Sequence, residues 1–193
     1  MKTEKLPFVL ASSSPRRIEL LKESGWDPRI IKPDVDEVAP LEMPVDQVVM
    51  YLALKKALWV QRTGVTGIIL AADTVVYKDR VMGKPVDVAD AIDILSSLRA
   101  DVHEVYTGVA LIHTETDQKR VFYEKTKVFF RDYTDQEIYD YIETEEAWDK
   151  AGGYAIQGTW GARIDRIEGD YHNVIGLPLA RVLAELGGLS LRV

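Results

Sequence analysis

The chain contains no cysteine. That single absence excludes a disulfide framework, a thiolate nucleophile and a thiolate metal site. Histidine is scarce: the three residues are His103, His113 and His172. None stands at metal-ligand spacing from another, so each is expected to face solvent or to hydrogen-bond. Positive charge is in the minority, with 24 Lys and Arg against 31 Asp and Glu and a formal net charge of -7. A broad electrostatic grip on nucleic acid is therefore not expected, and any phosphate site must be local. Long apolar runs are missing as well. The N-terminal "MKTEKLPFVLASSS" has too short an apolar part for a secretory signal, and no segment reaches the length that spans a bilayer. No membrane partner and a cytoplasmic location are the expectation. The segment "VMGKPV" (81–86) is no Walker A loop, because Pro85 follows Lys84 and donates no backbone N–H. Ser12, Ser13 and Ser14 lack the G-x-S-x-G elbow of a serine hydrolase.

What is present is the composition of a folded globular protein: 193 residues, 47% hydrophobic and 28% charged, enough for one domain over 1–193 with a sizeable core. Apolar and amphipathic runs alternate along the chain without repeats, which predicts an α/β fold. "PFVLAS" (7–12) reads as a buried strand, followed by a helix with Pro15 at its first position, Ser14 as N-cap and Gly25 at its end. A short strand from residue 29 runs into an acidic, Pro-rich loop ending at 44, and a long helix is expected over 45–64. The continuous apolar stretch at 67–79 predicts a strand buried on both faces. A helix follows over 87–100, then a long antiparallel strand pair, 103–114 with 120–132. Thr134 and Glu137 stand at capping-box spacing before a helix over 134–146, and "GLPLARVLAELGG" (176–188) closes the chain as a helix.

The stretch "LASSSPRRIELL" concentrates hydroxyls and two arginines where a strand turns into a helix. Such a turn presents backbone N–H groups and the positive end of the helix dipole, a place for anions. Arg16 and Arg17 add always-charged donors that match phosphate oxygens in pairs. An ordinary Ser-Pro capped helix is the plainer account, but two cations at a positive helix end call for an anion.

Asp73 follows "GIILAA", so it should lie at the end of a buried strand, where open α/β sheets place their ligand crevice. A carboxylate there needs a metal or a cation. Asp34, Asp36 and Glu37 crowd the loop upstream, and acids from separate segments are what an oxygen-liganded Mg²⁺ or Mn²⁺ requires; a solvated acidic turn is the plainer account. Lys55 and Lys56 both have apolar residues at helical spacing, so periodicity does not choose between them. Lys84 could meet a phosphate or sit in a solvated turn. In "DKAGGYAIQG" (149–158), glycines allow close backbone approach and Gln157 offers a donor and an acceptor to a base edge; a glycine-rich turn before a strand fits equally.

Taken in order, "LASSSPRRIELL", "AADTVV", "GKP", "YTGVAL", "DKAGGYAIQG" and "GDYHNVIGLP" resemble the Maf family of nucleoside triphosphate pyrophosphatases, a likeness running from about residue 7 to about 187. The resemblance implies an elongated mixed sheet flanked by helices with a central cleft, similar to the inosine triphosphate pyrophosphatases. It also implies cleavage of the α–β phosphoanhydride of a nucleotide with a divalent metal, Mg²⁺ or Mn²⁺, by a homodimer. Carried over by position, Ser12, Arg16 and Arg17 would hold phosphate, Glu37 and Asp73 would hold the metal, and Asp73 would be the general base. The resemblance selects Lys56 over Lys55, makes Lys84 a phosphate cation, and links Arg16, Thr74 and Gln157 to substrate choice. The "DKAG-Y-IQG" form is similar to the dTTP/UTP branch, with departures at Gly153, where alanine is usual, at Ala155, where glycine is usual, and at Trp160, where a small residue is common. The family's association with septum formation offers a second role, a nucleotide-binding regulator of cell division. A pure sensor has no need of Glu37 and Asp73 beside the cationic cradle.

Overall fold

The computed structural model describes residues 7–40 and 42–190. Among them, seven strands form one mixed sheet in the order β2-β1-β3-β5-β6-β7, with β4 beside β3. The strands are β1 (Phe8–Leu10), β2 (Arg29–Ile30), β3 (Ile68–Lys78), β4 (Arg80–Met82), β5 (Val102–His113), β6 (Gln118–Phe130) and β7 (Ile164–Glu168). The helices are α1 (Pro15–Glu23), α2 (Val45–Gln61), α3 (Val88–Leu98), α4 (Asp135–Glu143), α5 (Tyr171–Ile175) and α6 (Leu179–Ser190). The expected α/β class is what forms. Two strands, β4 and β7, were not anticipated: the first is three residues long and the second half-exposed, so neither carries an apolar run.

The chain packs as two compact units. The first comprises 1–73, 107–123 and 176–193; the second comprises 74–106 and 124–175. In the first, β1 pairs in parallel with β2 and with β3, so α1 and α2 are crossover connections. Alternate β1 and β3 side chains enter different cores: Leu10 and Leu70 pack with Leu21, Val182 and Leu186, whereas Val9, Ile69 and Ala71 pack with Ala53, Ala57 and Val60 of α2. Covering both faces explains the unbroken apolar run of β3. The second unit is built around Ile94, Leu95, Leu98, Val128, Phe130, Tyr141 and Trp160. The turn 114–117 joins β5 to its neighbour β6, and so short a connection permits only the antiparallel arrangement expected.

Helix ends follow local chemistry. Gly25, at φ 81°, closes α1: its N–H bonds the Lys22 carbonyl at 2.9 Å and that of Trp26 bonds the Leu21 carbonyl at 3.0 Å, the Schellman pattern. Thr134 and Glu137 form the expected capping box of α4. Ser14 departs from expectation: its side chain makes no cap, and its N–H instead donates to Ser12 Oγ at 3.1 Å. The helix expected to reach residue 64 ends at Gln61, because Gly64 turns at φ 78°. The last helix starts at Leu179, directly after Pro178. No described helix is long and apolar enough to cross a membrane.

Candidate active site

In the first unit, the turn between β1 and α1 brings Ser12 close to the middle of β3, where Arg17 Nη1 reaches both Ser12 Oγ and the Ala72 carbonyl. Ser12 is buried at 6% exposure, and its Oγ accepts from Arg17 Nη1 at 3.4 Å as well as from the Ser14 N–H. Arg17 is itself buried. Its Nε donates to the Gly176 carbonyl at 2.8 Å and its Nη1 to the Ala72 carbonyl at 2.9 Å. Burial pulls the Arg17 pKa below the ordinary arginine value, with Asp73 acting in the opposite direction, Arg16 adding to the lowering and Glu37 opposing it. A guanidinium has no acceptor and does not give up its proton in proteins, so Arg17 is a fixed positive charge bolted to backbone carbonyls. The cation at the start of α1 thus already has a counter-charge in Asp73, where the sequence pointed to an external anion. The carbonyls of Ala72 and Gly176 carry no side-chain signature, so their part in this arrangement is not readable from the sequence.

Asp73 is 6% exposed and lies in the middle of β3 (Ile68–Lys78) rather than at the end of the strand as expected, because the strand continues through Val75 and Val76. Its Oδ1 lies 2.5 Å from Nζ of Lys56, a buried lysine on α2, and the same Nζ lies 2.9 Å from Glu37 Oε1. The choice between the two lysines, open in the sequence, is made here. Lys55 turns outward, donating to the Asp36 backbone carbonyl at 2.6 Å and lying over the Tyr51 ring. All three loop acids are exposed, and of them Glu37 is the one that reaches Lys56.

A divalent cation fits this donor set. Two carboxylates already converge on one ammonium, and hard oxygen ligands suit Mg²⁺ or Mn²⁺, which commonly take one or two carboxylates and complete their shell with phosphate and water. Among the described residues no group of three or more His, Asp or Glu could hold a metal alone, so Asp73 and Glu37 would fill only part of a cation's shell.

Arg16, beside Arg17 on α1, is half-buried, and the other expected residues belong to the second unit. Thr74 follows Asp73 on β3 and is half-buried. Lys84 is exposed in the turn after β4, where the Gly83 carbonyl accepts the Gly152 N–H at 2.9 Å and so ties "GKP" to the glycine-rich segment. Gly152 needs its glycine twice over: φ is 70°, and a Cβ would run into the Val76 side chain at 2.7 Å. Gln157 is exposed. Between them Tyr154 is buried, 2.6 Å from Nε2 of His103, a pairing the sequence did not suggest. Burial, with Lys78 nearby, lowers the His103 pKa to about 3, so this histidine is neutral and structural. Trp160 is 3% exposed and stacked on Tyr141 with centroids 4.6 Å apart, against Tyr133 on its edge. It is a core residue, packed among aromatic side chains of the second unit.

Comparison with known proteins covers the same ground. The family model described as Maf-like protein matches residues 7–189. A dTTP/UTP pyrophosphatase of Bacillus cytotoxicus is 46% identical over 181 residues, 93% of each chain. Those of Bacillus cereus and Acetivibrio thermocellus are 43% and 44% identical, covering 96% and 91% of this chain and 97% and 91% of theirs. The solved Ham1 protein of Staphylococcus aureus aligns with a TM-score of 0.45 at 14% identity over 64% of this chain and 71% of its own. With a family match across nearly the whole described chain, the chain belongs to the Maf family.

Proposed function

We propose that this protein is a nucleoside triphosphate pyrophosphatase that hydrolyses the α–β phosphoanhydride of dTTP and UTP to the monophosphate and pyrophosphate. The observation that carries this is the buried Lys56 of α2, held by Asp73 in the middle of β3 and by Glu37 of the loop, with Arg17 bound to the neighbouring Ala72 carbonyl, in a chain 42–46% identical to dTTP/UTP pyrophosphatases. Asp73, fixed on β3, accepts the proton of the attacking water as that water closes on the α-phosphorus. Asp73 and Glu37 would hold the divalent cation, Mg²⁺ or Mn²⁺, which when bound neutralises phosphate charge and lowers the pKa of a neighbouring water. Lys56, with Arg16, Arg17 and Lys84, offsets the charge that builds on the leaving pyrophosphate. Ser12 and Arg17 position phosphate, while Arg16, Thr74 and Gln157 act in substrate choice. Because the family match spans segments of both compact units, we take residues 1–193 as one functional domain. A homodimer follows from the resemblance and is checked by sedimentation velocity.

The decisive experiment is product analysis by anion exchange after incubation with Mg²⁺ and each of dTTP, UTP, CTP, GTP, ATP and 7-methyl-GTP. Monophosphate and pyrophosphate from dTTP and UTP are expected. Nucleotide binding without turnover of any of them would favour the regulator instead.

The two lysines supply a sharper comparison. Lys56→Ala is expected to lower kcat/KM at least about a hundredfold, the scale of losing one fixed charge in a site. Lys55→Ala should stay within about fivefold, since an exposed contact to a loop carbonyl contributes little. Equal losses in steady-state assays would refute the roles given to the pair.

A further inference from the structure

Gln157, to which the proposed function gives a part in substrate choice, sits on an exposed turn of the second unit. The Gly158 N–H closes that turn by donating to the Ala155 carbonyl at 3.1 Å. A carboxamide reads a base edge only when its backbone is held in place, since a displaced donor or acceptor returns its hydrogen bond to water. Before the turn the chain is fixed by Tyr154, buried against Phe130 with centroids 5.0 Å apart and paired with His103. After it the next buried side chain is Trp160, and Gly158 and Thr159 lie between that anchor and Gln157. Glycine has the most backbone freedom to lose, so this is the weak link of the turn. Glu146, half-buried in the segment after α4, closes it: its Oε2 accepts from the Thr159 N–H at 3.1 Å and from the Thr159 Oγ1 hydroxyl at 3.2 Å. The same oxygen would lie 2.5 Å from a Cβ at residue 158, an approach that the missing side chain of Gly158 allows. Glu146 is itself fastened, its N–H donating to Thr144 Oγ1 at 3.3 Å and its carbonyl accepting from Lys150 Nζ at 2.5 Å. Resting on the function proposed above, we propose that Glu146 is a positioning residue for base recognition, clamping the turn 155–158 through Thr159 and so fixing the carboxamide of Gln157.

Steady-state kinetics with dTTP and UTP test the clamp. Glu146→Ala should raise KM at least about tenfold and leave kcat within about threefold, the pattern of lost uniform binding. Glu146→Gln should keep KM within about threefold of wild type, because its carbonyl oxygen still accepts from Thr159. Both variants lose the same charge, so the acceptor alone separates them. A double-mutant cycle supplies a readout that a merely structural residue would not move: in a Gln157→Ala background, Glu146→Ala should raise KM by less than about a further twofold. Wild-type KM in Glu146→Ala, equal impairment of the Ala and Gln variants, or fully multiplicative losses in the double variant each overturn the proposal. If Glu146→Ala does not fold, as judged by circular dichroism, Thr159→Val decides. It removes one of the two donors and should raise KM about threefold, and an unchanged KM overturns the proposal. Gln157→Ala separates the claims: KM raised by this change but not by Glu146→Ala sinks only the clamp, whereas KM unchanged by it removes Gln157 from base recognition and the clamp with it. A wild type that turns over neither nucleotide sinks the function on which both rest.

Discussion

Asp73→Asn is expected to lower kcat for dTTP and UTP by at least about a thousandfold while the chain stays folded. The substitution keeps the size and most hydrogen-bonding geometry of the side chain but removes its capacity to take a proton, a contribution on the order of 10²–10⁴ in rate. It also removes one of the two carboxylates placed to hold a divalent cation. The effect on the fold is smaller, because Lys56 keeps Glu37 at 2.9 Å when Asp73 is neutralised. Breaking a buried pair outright costs about 3–5 kcal/mol, and the remaining contact to the exposed Glu37 should hold the loss to about 1–2 kcal/mol. Arg17 stays anchored through the Ala72 and Gly176 carbonyls. Steady-state kinetics with thermal unfolding of the same preparations checks both halves. Activity within tenfold of wild type would remove Asp73 from the chemistry, and a collapsed melting temperature would make it a structural residue.

How much of this is legible in the sequence depends on how local the cause is. Asp73 can be placed because a charge ending an apolar run on a strand is a local signal that burial makes costly. The Gly25 stop and the Thr134/Glu137 box are equally local. Lys55 and Lys56 are not separable, since both carry apolar neighbours at helical spacing, and only the packing of α2 on β3 and the path of the acidic loop distinguish them. Two features mislead. Ser14 has the position and chemistry to cap α1, but its side chain makes no cap hydrogen bond. Trp160 is linked to the base by its closeness in sequence to Gln157, whereas the intervening turn and 3₁₀ segment (Thr159–Arg163) send the indole into the core and leave Gln157 exposed. Strands β4 and β7 escape notice because sheet pairing rather than hydrophobic pattern defines them.

Gly108→Ala should be strongly destabilising, and it should cost activity as well. Gly108 lies on β5 within "YTGVAL", and a Cβ there would fall on the carbonyl group of Val49 and the amide nitrogen of Met50, well inside van der Waals contact. The obstacle is helix backbone, which has no rotamer to escape into, so α2 must lift off the sheet. Overpacking of this kind costs about 1–3 kcal/mol and more when backbone must move, which makes about 3 kcal/mol the expectation. For a chain of this length that is a fall of about 6–12 °C in melting temperature. The functional consequence follows from α2 itself: Val49 and Lys56 are two turns apart on one helix, so lifting the helix at Val49 draws Lys56 away from Asp73, and kcat/KM should fall by more than the unfolded fraction accounts for. Gly187→Ala is the control. It lies in α6 with nothing within 4 Å of its added Cβ, so alanine's better helix propensity should leave the melting temperature unchanged or slightly raised. Gly108→Ala melting like wild type would mean that α2 has slack over β5, and the tight seating of Lys56 would then need another cause.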